Sequence, residues 1–261
     1  MLSNPTVGIR EDVLEALQTT ITPNDPYHSG HFRRHARTIE VLLEEGIHGK
    51  VLELGTSFVV PLALKKLQVE AEIVVTDFNP NRPLKGHLSA EYNSQVLEAE
   101  CYSLDLESEP LPVEDETFDY IICSEVIEHL DVDPMYMMSE INRTPKMGGK
   151  LILTTPNSVS THAIRKILSG HEPYFYMQYQ RDRSPYRHNY EYSIHSLKQV
   201  LVASGLEPRL WTENSFEDPW PHDVPKLRAI GYEMKNLGDN LFAVGTKTGP
   251  VITRYPSRVY V

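Results

Sequence analysis

Residues 118–130 read FDYIICSEVIEHL, an apolar run followed directly by two glutamates and a histidine. The run 118–123 has the length and the Ile-rich, aromatic composition of a buried β-strand. The residues behind it begin a loop or a helix at the carboxyl end of that strand. Because ligands in open α/β sheets bind at the carboxyl ends of the strands, this stretch predicts a functional site as well as a strand.

Glu125, Glu128 and His129 stand at i, i+3 and i+4, so a helix over 125–129 would place them on one face. Two carboxylates and an imidazole on one face can bind a divalent cation if a downstream residue completes the ligand set. The alternative is a solvated first helical turn, where acidic residues interact favourably with the helix dipole. The spacing alone leaves both interpretations open.

Strand and helix patterns alternate along the rest of the chain. Helical periodicity is found at 11–20, 31–45, 61–67, 135–143 and 196–204. Strand patterns are found at 51–55, 73–77, 98–104, 118–123, 150–155, 206–211 and 240–246. This alternation predicts an α/β fold with a Rossmann-like, doubly wound and mostly parallel sheet of seven strands, preceded by N-terminal helices. We expect the final dozen residues to form a tail.

The composition restricts the classes of function. The 261 residues include 25 Lys and Arg against 36 Asp and Glu, a formal net charge of −11 that disfavours nucleic-acid binding. Cys101 and Cys123 lie in apolar strand-like runs and are expected to be buried free thiols. No apolar stretch reaches membrane-spanning length and residues 1–10 do not resemble a signal peptide, so we expect a cytoplasmic protein without membrane contacts. The oligomeric state stays open.

Acidic residues mark the ends of three predicted strands: Glu53, just before Gly55, then Asp77, then Asp105. A glycine lets the backbone approach a ligand, and a carboxylate at the tip of the second strand accepts hydrogen bonds from both ribose hydroxyls. A carboxylate after the third strand can accept a hydrogen bond from an adenine amino group. The set predicts a nucleoside-binding site.

In these segments the chain resembles class I S-adenosylmethionine-dependent methyltransferases, over roughly residues 30–247. The matching segments are VLELG (51–55), VVTDFNP (74–80), SLDLESEPLPVEDETFDYIICSEVIEHL (103–130) and GGKLILTTPN (148–157). The resemblance implies that S-adenosyl-L-methionine is the cofactor and that Glu53 and Gly55 line its methionine part. It also implies that Asp77 holds the ribose, and that Asp105 with Leu106 holds the adenine.

The first loop departs from the pattern of that family, which usually has two or three glycines there. Residues 55–60 read GTSFVV, with Ser57 and Val59 where glycines are common. Side chains at these positions narrow the room for the backbone and disfavour positive φ. We therefore expect a reshaped loop, a shifted cofactor or weaker binding of the cofactor. Because Asp77 and Asp105 are both present, cofactor binding is still the favoured interpretation.

A second motif, RHNYEYS, occupies residues 187–193. With EVIEH (125–129) and TTPN (154–157), it resembles metal-dependent 2′-O-methyltransferases that cap the 3′ end of small RNAs, and also many bacterial methyltransferases from glycan and natural-product gene clusters. The first resemblance implies one divalent ion on Glu125, Glu128, His129 and His188. Hard ions such as Mg²⁺ or Mn²⁺ suit the carboxylate part of this set. Alternatively, the two histidines only pack and hydrogen-bond within the pocket.

The catalytic candidates are therefore His129, His188 and Glu125. A cation lowers the pKa of a hydroxyl group that it binds, and a histidine that is not a ligand can take the proton. In a metal-free enzyme, Glu125 or His129 would position the acceptor. His28, His31 and His35 lie close together in sequence but lack carboxylate neighbours, so we expect solvated or capping roles for them.

Residues 170–192 hold six of the 14 tyrosines, which predicts an inserted aromatic lid, with a packed surface flap as the alternative. The chain then divides into an N-terminal helical cap (1–46) and a methyltransferase domain (47–261).

We expect an S-adenosylmethionine-dependent O-methyltransferase, assisted by a divalent metal, that acts on a hydroxyl of a sugar or a hydroxylated small molecule. Its partner is then a small-molecule or glycan acceptor and not RNA, because the chain is acidic. The alternatives are a metal-free N- or O-methyltransferase and a non-catalytic binding protein of the same fold.

Overall fold

The computed structural model describes residues 9–21, 25–92, 95–174, 179, 187–215, 224–232 and 235–261. Within these ranges the strands are β1 (Gly49–Leu54), β2 (Ala71–Asp77), β3 (Lys85–Tyr92), β4 (Gln95–Ser103), β5 (Phe118–Ser124), β6 (Pro145–Pro156), β7 (Leu206–Glu213) and β8 (Asn240–Lys247). The helices are α1 (Glu11–Thr20), α2 (Pro26–Gly30), α3 (Phe32–Glu44), α4 (Val59–Lys66), α5 (Pro134–Arg143), α6 (Thr161–Leu168), α7 (Ile194–Ala203) and α8 (Val224–Ala229). A single 3₁₀ turn, Ile127–His129, lies between β5 and α5.

The strands form one sheet in the order β3-β4-β2-β1-β5-β6-β8-β7. The five neighbours from β4 to β6 are parallel, whereas β3 and β8 pair antiparallel with their neighbours. This confirms the doubly wound, mostly parallel α/β sheet. The count of seven strands was wrong, because β3, with the sequence KGHLSAEY, is an eighth strand. Its exposed residues alternate with half-buried ones, but of the half-buried Gly86, Leu88 and Ala90 only Leu88 has a large apolar side chain, so the alternation is weak in the sequence.

The central strands are apolar on both sides because helices cover both faces of a parallel sheet. On one face, Leu52, Ile121 and Leu153 pack with apolar residues of α5 and α7. On the other face, Val51 and Ile122 pack with apolar residues of α1, α3 and α4. The N-terminal helices thus share a core with β1. Cys101 and Cys123 are free and buried, as predicted.

The final dozen residues contain no helix or strand, as expected for a tail, but part of this tail is fixed to the rest of the domain. Arg254 Nη2 lies 2.5 Å from Asp133 Oδ2, and the Tyr260 hydroxyl donates a hydrogen bond to the same carboxylate. Tyr260 also accepts a hydrogen bond from the Met135 amide at 3.1 Å, and Val259 packs against the core. Arginine and aromatic residues therefore fix this end of the chain to the start of α5.

About half of the predicted lid, residues 175–178 and 180–186 of 170–192, lies outside the described residues, and its cover role stays a prediction. None of the described helices is long and apolar enough to cross a membrane.

Candidate functional site

The candidate site lies at the edge of the sheet where the parallel strands end. Gly55, directly after β1, has φ +62°, and a Cβ there would lie 2.9 Å from Cγ2 of Val126. Its amide donates to Thr76 Oγ1 at 3.0 Å, which ties the loop to β2. Both the backbone conformation and the close approach therefore require glycine at this position.

The loop after β1 lacks the expected glycines, and its left-handed backbone conformation occurs at Phe58 instead. Among the described non-glycine residues of the loop, positive φ occurs at Phe58 (+63°) and not at Ser57 or Val59. The Phe58 amide donates to Thr56 Oγ1 at 3.0 Å, and Val59 begins α4 with its side chain buried. The loop is thus reshaped, with its left-handed residue one position away from the expected glycines.

Glu53 is buried at the end of β1, and Thr56 Oγ1 donates a hydrogen bond to its carboxylate. Burial raises the pKa of Glu53 from 4.5 to about 7, even though the Thr56 hydrogen bond acts in the opposite direction. Since a nearby positive charge favours the ionised form, this carboxyl group is suited to a cationic ligand.

Asp77, at the tip of β2, has protein partners on both carboxylate oxygens. Arg82 Nη1 forms an ion pair with Oδ2, and Cys101 Sγ lies 3.7 Å from Oδ1. Arg82 is turned back towards Asp77 by a tight turn in which Asn79 accepts hydrogen bonds from the amides of Asn81 and Arg82, each at 3.0 Å. A ribose bound at Asp77 would therefore have to replace Arg82.

Asp105 lies beside Asp77, because the Leu104 amide donates to the Asp77 carbonyl at 3.1 Å. Its carboxylate accepts hydrogen bonds from the Glu107 amide at 2.9 Å and from Ser108 Oγ at 2.8 Å. Leu106 is partly buried against the core. Asp105 thus caps its own turn, and an adenine amino group would share this carboxylate with the turn.

Glu128, His129 and His188 come together although 60 residues separate the first from the last. Each offers a potential metal-ligand atom, and these atoms lie within 4.8 Å of one another; no other such group occurs in the part of the chain that the structure describes. Glu128 is fully buried, with Oε2 accepting a hydrogen bond from Thr155 Oγ1 at 3.0 Å. Its Oε1 has no hydrogen-bond partner among the described residues. A buried, half-satisfied carboxyl group of this kind is suited to a cation.

Burial determines which charge states Glu128 and His129 favour. Desolvation, and then the nearby charge of Glu125, raise the pKa of Glu128 well above its usual range. Burial also lowers the pKa of His129, which favours the neutral imidazole that metal ions require. The imidazole rings of His129 and His188 meet edge to face, with centroids 4.9 Å apart.

Hydrogen bonds orient both imidazoles in the same way. His129 Nδ1 lies 3.0 Å from the Arg187 carbonyl, and His188 Nδ1 lies 2.9 Å from Glu191 Oε1. Because a carbonyl or a carboxylate only accepts, both Nδ1 atoms carry hydrogen and the lone pair is on Nε2 in each ring. This is the arrangement common among metal-binding histidines.

Glu125 does not share a helix face with Glu128 and His129, and that prediction was wrong. The Glu125 amide pairs with the Thr154 carbonyl at 2.9 Å, Glu125 has φ +55°, and the helical turn begins only at Ile127. A backbone hydrogen bond to β6 thus holds the residue that follows β5, and the turn begins later than expected. The Glu125 carboxylate is outside the group of three potential ligands.

The Glu125 carboxylate instead accepts hydrogen bonds from Arg34 Nη1 at 3.0 Å and from Asn240 Nδ2 at 3.1 Å. The Arg34 and Glu125 side chains are only 5% and 11% exposed, so this ion pair is nearly buried and ties α3 to the site. No local sequence signal indicated Arg34 or Asn240, since both lie far from residue 125 in the chain.

The histidines of α2 and α3 also differ from expectation. His28 and His35 are buried, with Nδ1 of the first 3.3 Å from Nε2 of the second, whereas solvated or capping roles were expected. Burial lowers the pKa of both, so they form a neutral packed pair.

Comparisons with known proteins place this geometry in context. A family model described as a methyltransferase domain matches residues 7–210. A search of curated proteins gives no significant match.

Solved structures with a similar fold include a SAM-dependent methyltransferase from Archaeoglobus fulgidus, with 12% identity, a TM-score of 0.53 and coverage of 85% of this chain and 98% of that one. One from Thermotoga maritima has 15% identity, a TM-score of 0.52 and coverage of 85% and 93%. The Haemonchus contortus phosphoethanolamine N-methyltransferase 2, solved with S-adenosyl-L-methionine, has 10% identity, a TM-score of 0.50 and coverage of 82% and 52%. At these identities the likeness establishes the fold alone.

Proposed function

Because the chain belongs to the methyltransferase-domain family, we propose that it uses S-adenosyl-L-methionine to methylate a hydroxyl group of a sugar or another hydroxylated small molecule, with the assistance of a divalent metal ion. The observation that carries the metal assignment is the group of Glu128, His129 and His188 behind the carboxyl end of β5, of which Glu128 and His188 are buried and His129 is half-buried. The acidic balance of the chain, −11, supports a small-molecule or glycan acceptor over RNA.

The cofactor residues proposed are those at the ends of β1, β2 and β4. S-adenosyl-L-methionine supplies a methyl group on a positively charged sulfur, and Glu53 and Gly55 would line its methionine part. Asp77 would hold the ribose after releasing Arg82, and Asp105 with Leu106 would hold the adenine. Buried Glu53 supports this assignment, because its raised pKa leaves a carboxyl group that a cation can ionise.

The metal ligands proposed are Glu128, His129 and His188, in place of the four residues expected from the sequence. Oε1 of Glu128 lacks a partner among the described residues, and both imidazoles present Nε2 as the lone-pair nitrogen. Mg²⁺ takes almost only oxygen ligands, so of the two ions considered, Mn²⁺ fits two imidazoles and one carboxylate better. Held here, such an ion lowers the pKa of an acceptor hydroxyl group.

Glu125 is then left to orient the acceptor. A carboxylate has about four lone-pair positions, so the hydrogen bonds from Arg34 and Asn240 leave capacity for a hydroxyl group of the acceptor. Since Arg34 and Asn240 hold the carboxylate in place, its position does not have to be established when the acceptor binds. Such fixed positioning contributes to the rate by reducing the entropy lost in the reaction.

A metal-free N- or O-methyltransferase is the second candidate, favoured by one observation. Burial keeps His129 neutral, so it can act as a base towards the acceptor without a metal ion. The two candidates differ in whether a chelator affects turnover.

The experiment is methyl transfer from S-adenosyl-L-methionine to a panel of sugars and polyhydroxylated compounds, in EDTA and after Mn²⁺ is restored. We expect EDTA to abolish turnover, Mn²⁺ to restore it, and His188→Ala to be far less active than the control His162→Ala, on α6. Excess Mn²⁺ should partly rescue His188→Ala, because loss of a ligand lowers metal affinity. Full activity in EDTA would refute metal assistance and leave the metal-free enzyme, and failure of the wild type to bind the cofactor in a calorimetric titration would refute both.

A further inference from the structure

The segment that carries His188 is fixed to the turn that carries His129. The Asn189 amide donates to the Glu128 carbonyl at 2.7 Å, and Asn189 Nδ2 donates to the His129 carbonyl at 2.8 Å. These bonds fix the backbone on either side of the two imidazoles. They do not fix the tautomer of the His188 ring, which requires a hydrogen-bond partner on one of its two nitrogens.

Glu191 is that partner. Its side chain is fully buried (0% exposed), and Oε1 lies 2.9 Å from His188 Nδ1. Burying a carboxylate is costly unless it forms hydrogen bonds. The contact with His188 supplies such a bond and so accounts for a buried glutamate at this position. A carboxylate on Nδ1 holds the hydrogen on that nitrogen and leaves the lone pair on Nε2.

We propose that Glu191 is a positioning residue, which fixes the Nδ1–H tautomer and the ring orientation of His188 so that Nε2 is directed to a divalent cation. The part of this inference that concerns the cation rests on the proposed function. The part that concerns the tautomer of His188 does not. His129 receives the equivalent support from the Arg187 carbonyl, which no side-chain substitution removes. Glu191 is therefore the point at which the orientation of one ligand can be changed without changing the ligand itself.

Two substitutions separate the effect of the hydrogen bond from that of the charge. Glu191→Gln keeps an oxygen that can accept from Nδ1–H, so the tautomer should persist, and the affinity for Mn²⁺ should fall by less than about tenfold. Glu191→Ala removes the acceptor, so the Nε2–H tautomer should become populated and Mn²⁺ affinity should fall by about 10- to 100-fold, the range typical of such outer partners. Glu207→Ala, at an exposed position of β7, is the matched control and should change neither quantity.

The tautomer is measured by long-range ¹H–¹⁵N NMR of the histidine side chains in the metal-free protein, and the affinity by titration with Mn²⁺ followed by electron paramagnetic resonance. A His188 that keeps Nδ1–H in both variants, with Mn²⁺ affinity unchanged, would overturn the proposal. If Glu191→Ala fails to fold, Glu191→Leu, which is closer in size and equally unable to accept a hydrogen bond, takes its place, with the same result expected and the same result overturning the proposal. Should the wild type bind no Mn²⁺ while Glu191→Ala shifts the tautomer, the metal assignment fails and the orienting role of Glu191 is supported.

Discussion

Replacing Glu53 by glutamine should make the stability of the protein less dependent on pH. Burial raises the pKa of Glu53 from 4.5 to about 7 in the folded protein, whereas the unfolded chain exposes this carboxyl group to water. Between these two values the folded state binds more protons than the unfolded state. The contribution of Glu53 to stability is therefore fully present below about pH 4.5 and is lost as the pH rises through about 7.

The size of this effect follows from the two pKa values. A difference of one pKa unit corresponds to about 1.4 kcal/mol, so a rise from 4.5 to about 7 corresponds to about 3 kcal/mol, taken as an upper bound. Glutamine has a similar size, can accept the hydrogen bond from Thr56, and does not ionise. We therefore expect Glu53→Gln to be more stable than the wild type by up to about 3 kcal/mol at pH 8, with the advantage shrinking to less than about 1 kcal/mol at pH 5.

The measurement is urea unfolding of the ligand-free wild type, Glu53→Gln and a control, Glu98→Gln, at several pH values between 5 and 8. Glu98 lies exposed in β4, and its substitution should leave the pH dependence of the wild type unchanged. Equal pH dependence of the free energy of unfolding in the wild type and Glu53→Gln would show that Glu53 ionises normally and would refute the reasoning.

In Glu53→Gln, affinity for S-adenosyl-L-methionine should also fall, because a neutral amide replaces the carboxylate beside a cation.

Two further predictions concern the ribose position. Asp77→Ala should weaken binding of S-adenosyl-L-methionine strongly, since two charge-assisted hydrogen bonds worth about 1.5–3 kcal/mol each are removed; calorimetry that finds unchanged affinity would exclude Asp77 as the ribose acceptor. Arg82→Ala should instead increase cofactor affinity, by up to about fivefold, because the half-exposed Arg82–Asp77 pair is worth at most about 1 kcal/mol and no longer has to be broken. Its effect should shrink at high salt, and a decrease in affinity would indicate that Arg82 contacts the cofactor.

The sheet could be predicted from the sequence to the extent that its strands have strong local patterns. The central strands β1 and β5 contain the largely apolar stretches 51–54 and 118–123, interrupted by Glu53 and Asp119, and such stretches are hard to mistake. β3 was missed because a polar edge strand needs few apolar residues, and its pairing with β4 is decided by the tertiary structure. The packed C-terminal segment was missed for a similar reason, since its contacts are made by Arg254 and Tyr260 across the chain and not by a local repeat.

The candidate site was predictable where its residues lie in one short motif. Glu128 and His129 were identified from their position behind β5, and His188 from its motif. The helical geometry was wrong at Glu125, because spacing along the chain does not reveal that a backbone hydrogen bond to β6 holds that residue. The contacts of Arg34 and Asn240 with Glu125 span 91 and 115 residues, distances over which local patterns carry no information.

The position of β8 between β6 and β7 has a consequence for how the protein is made. β7 pairs with no earlier strand in the described sheet, and Asn240, which begins β8, is one of the two partners of Glu125. During synthesis, the chain up to residue 239 can form the sheet from β3 to β6. One edge of β6 is then exposed, and Glu125 lacks the hydrogen bond from the Asn240 side chain. The candidate site is therefore completed only after β8 has been synthesised, and until then an open strand edge is available for pairing with other chains.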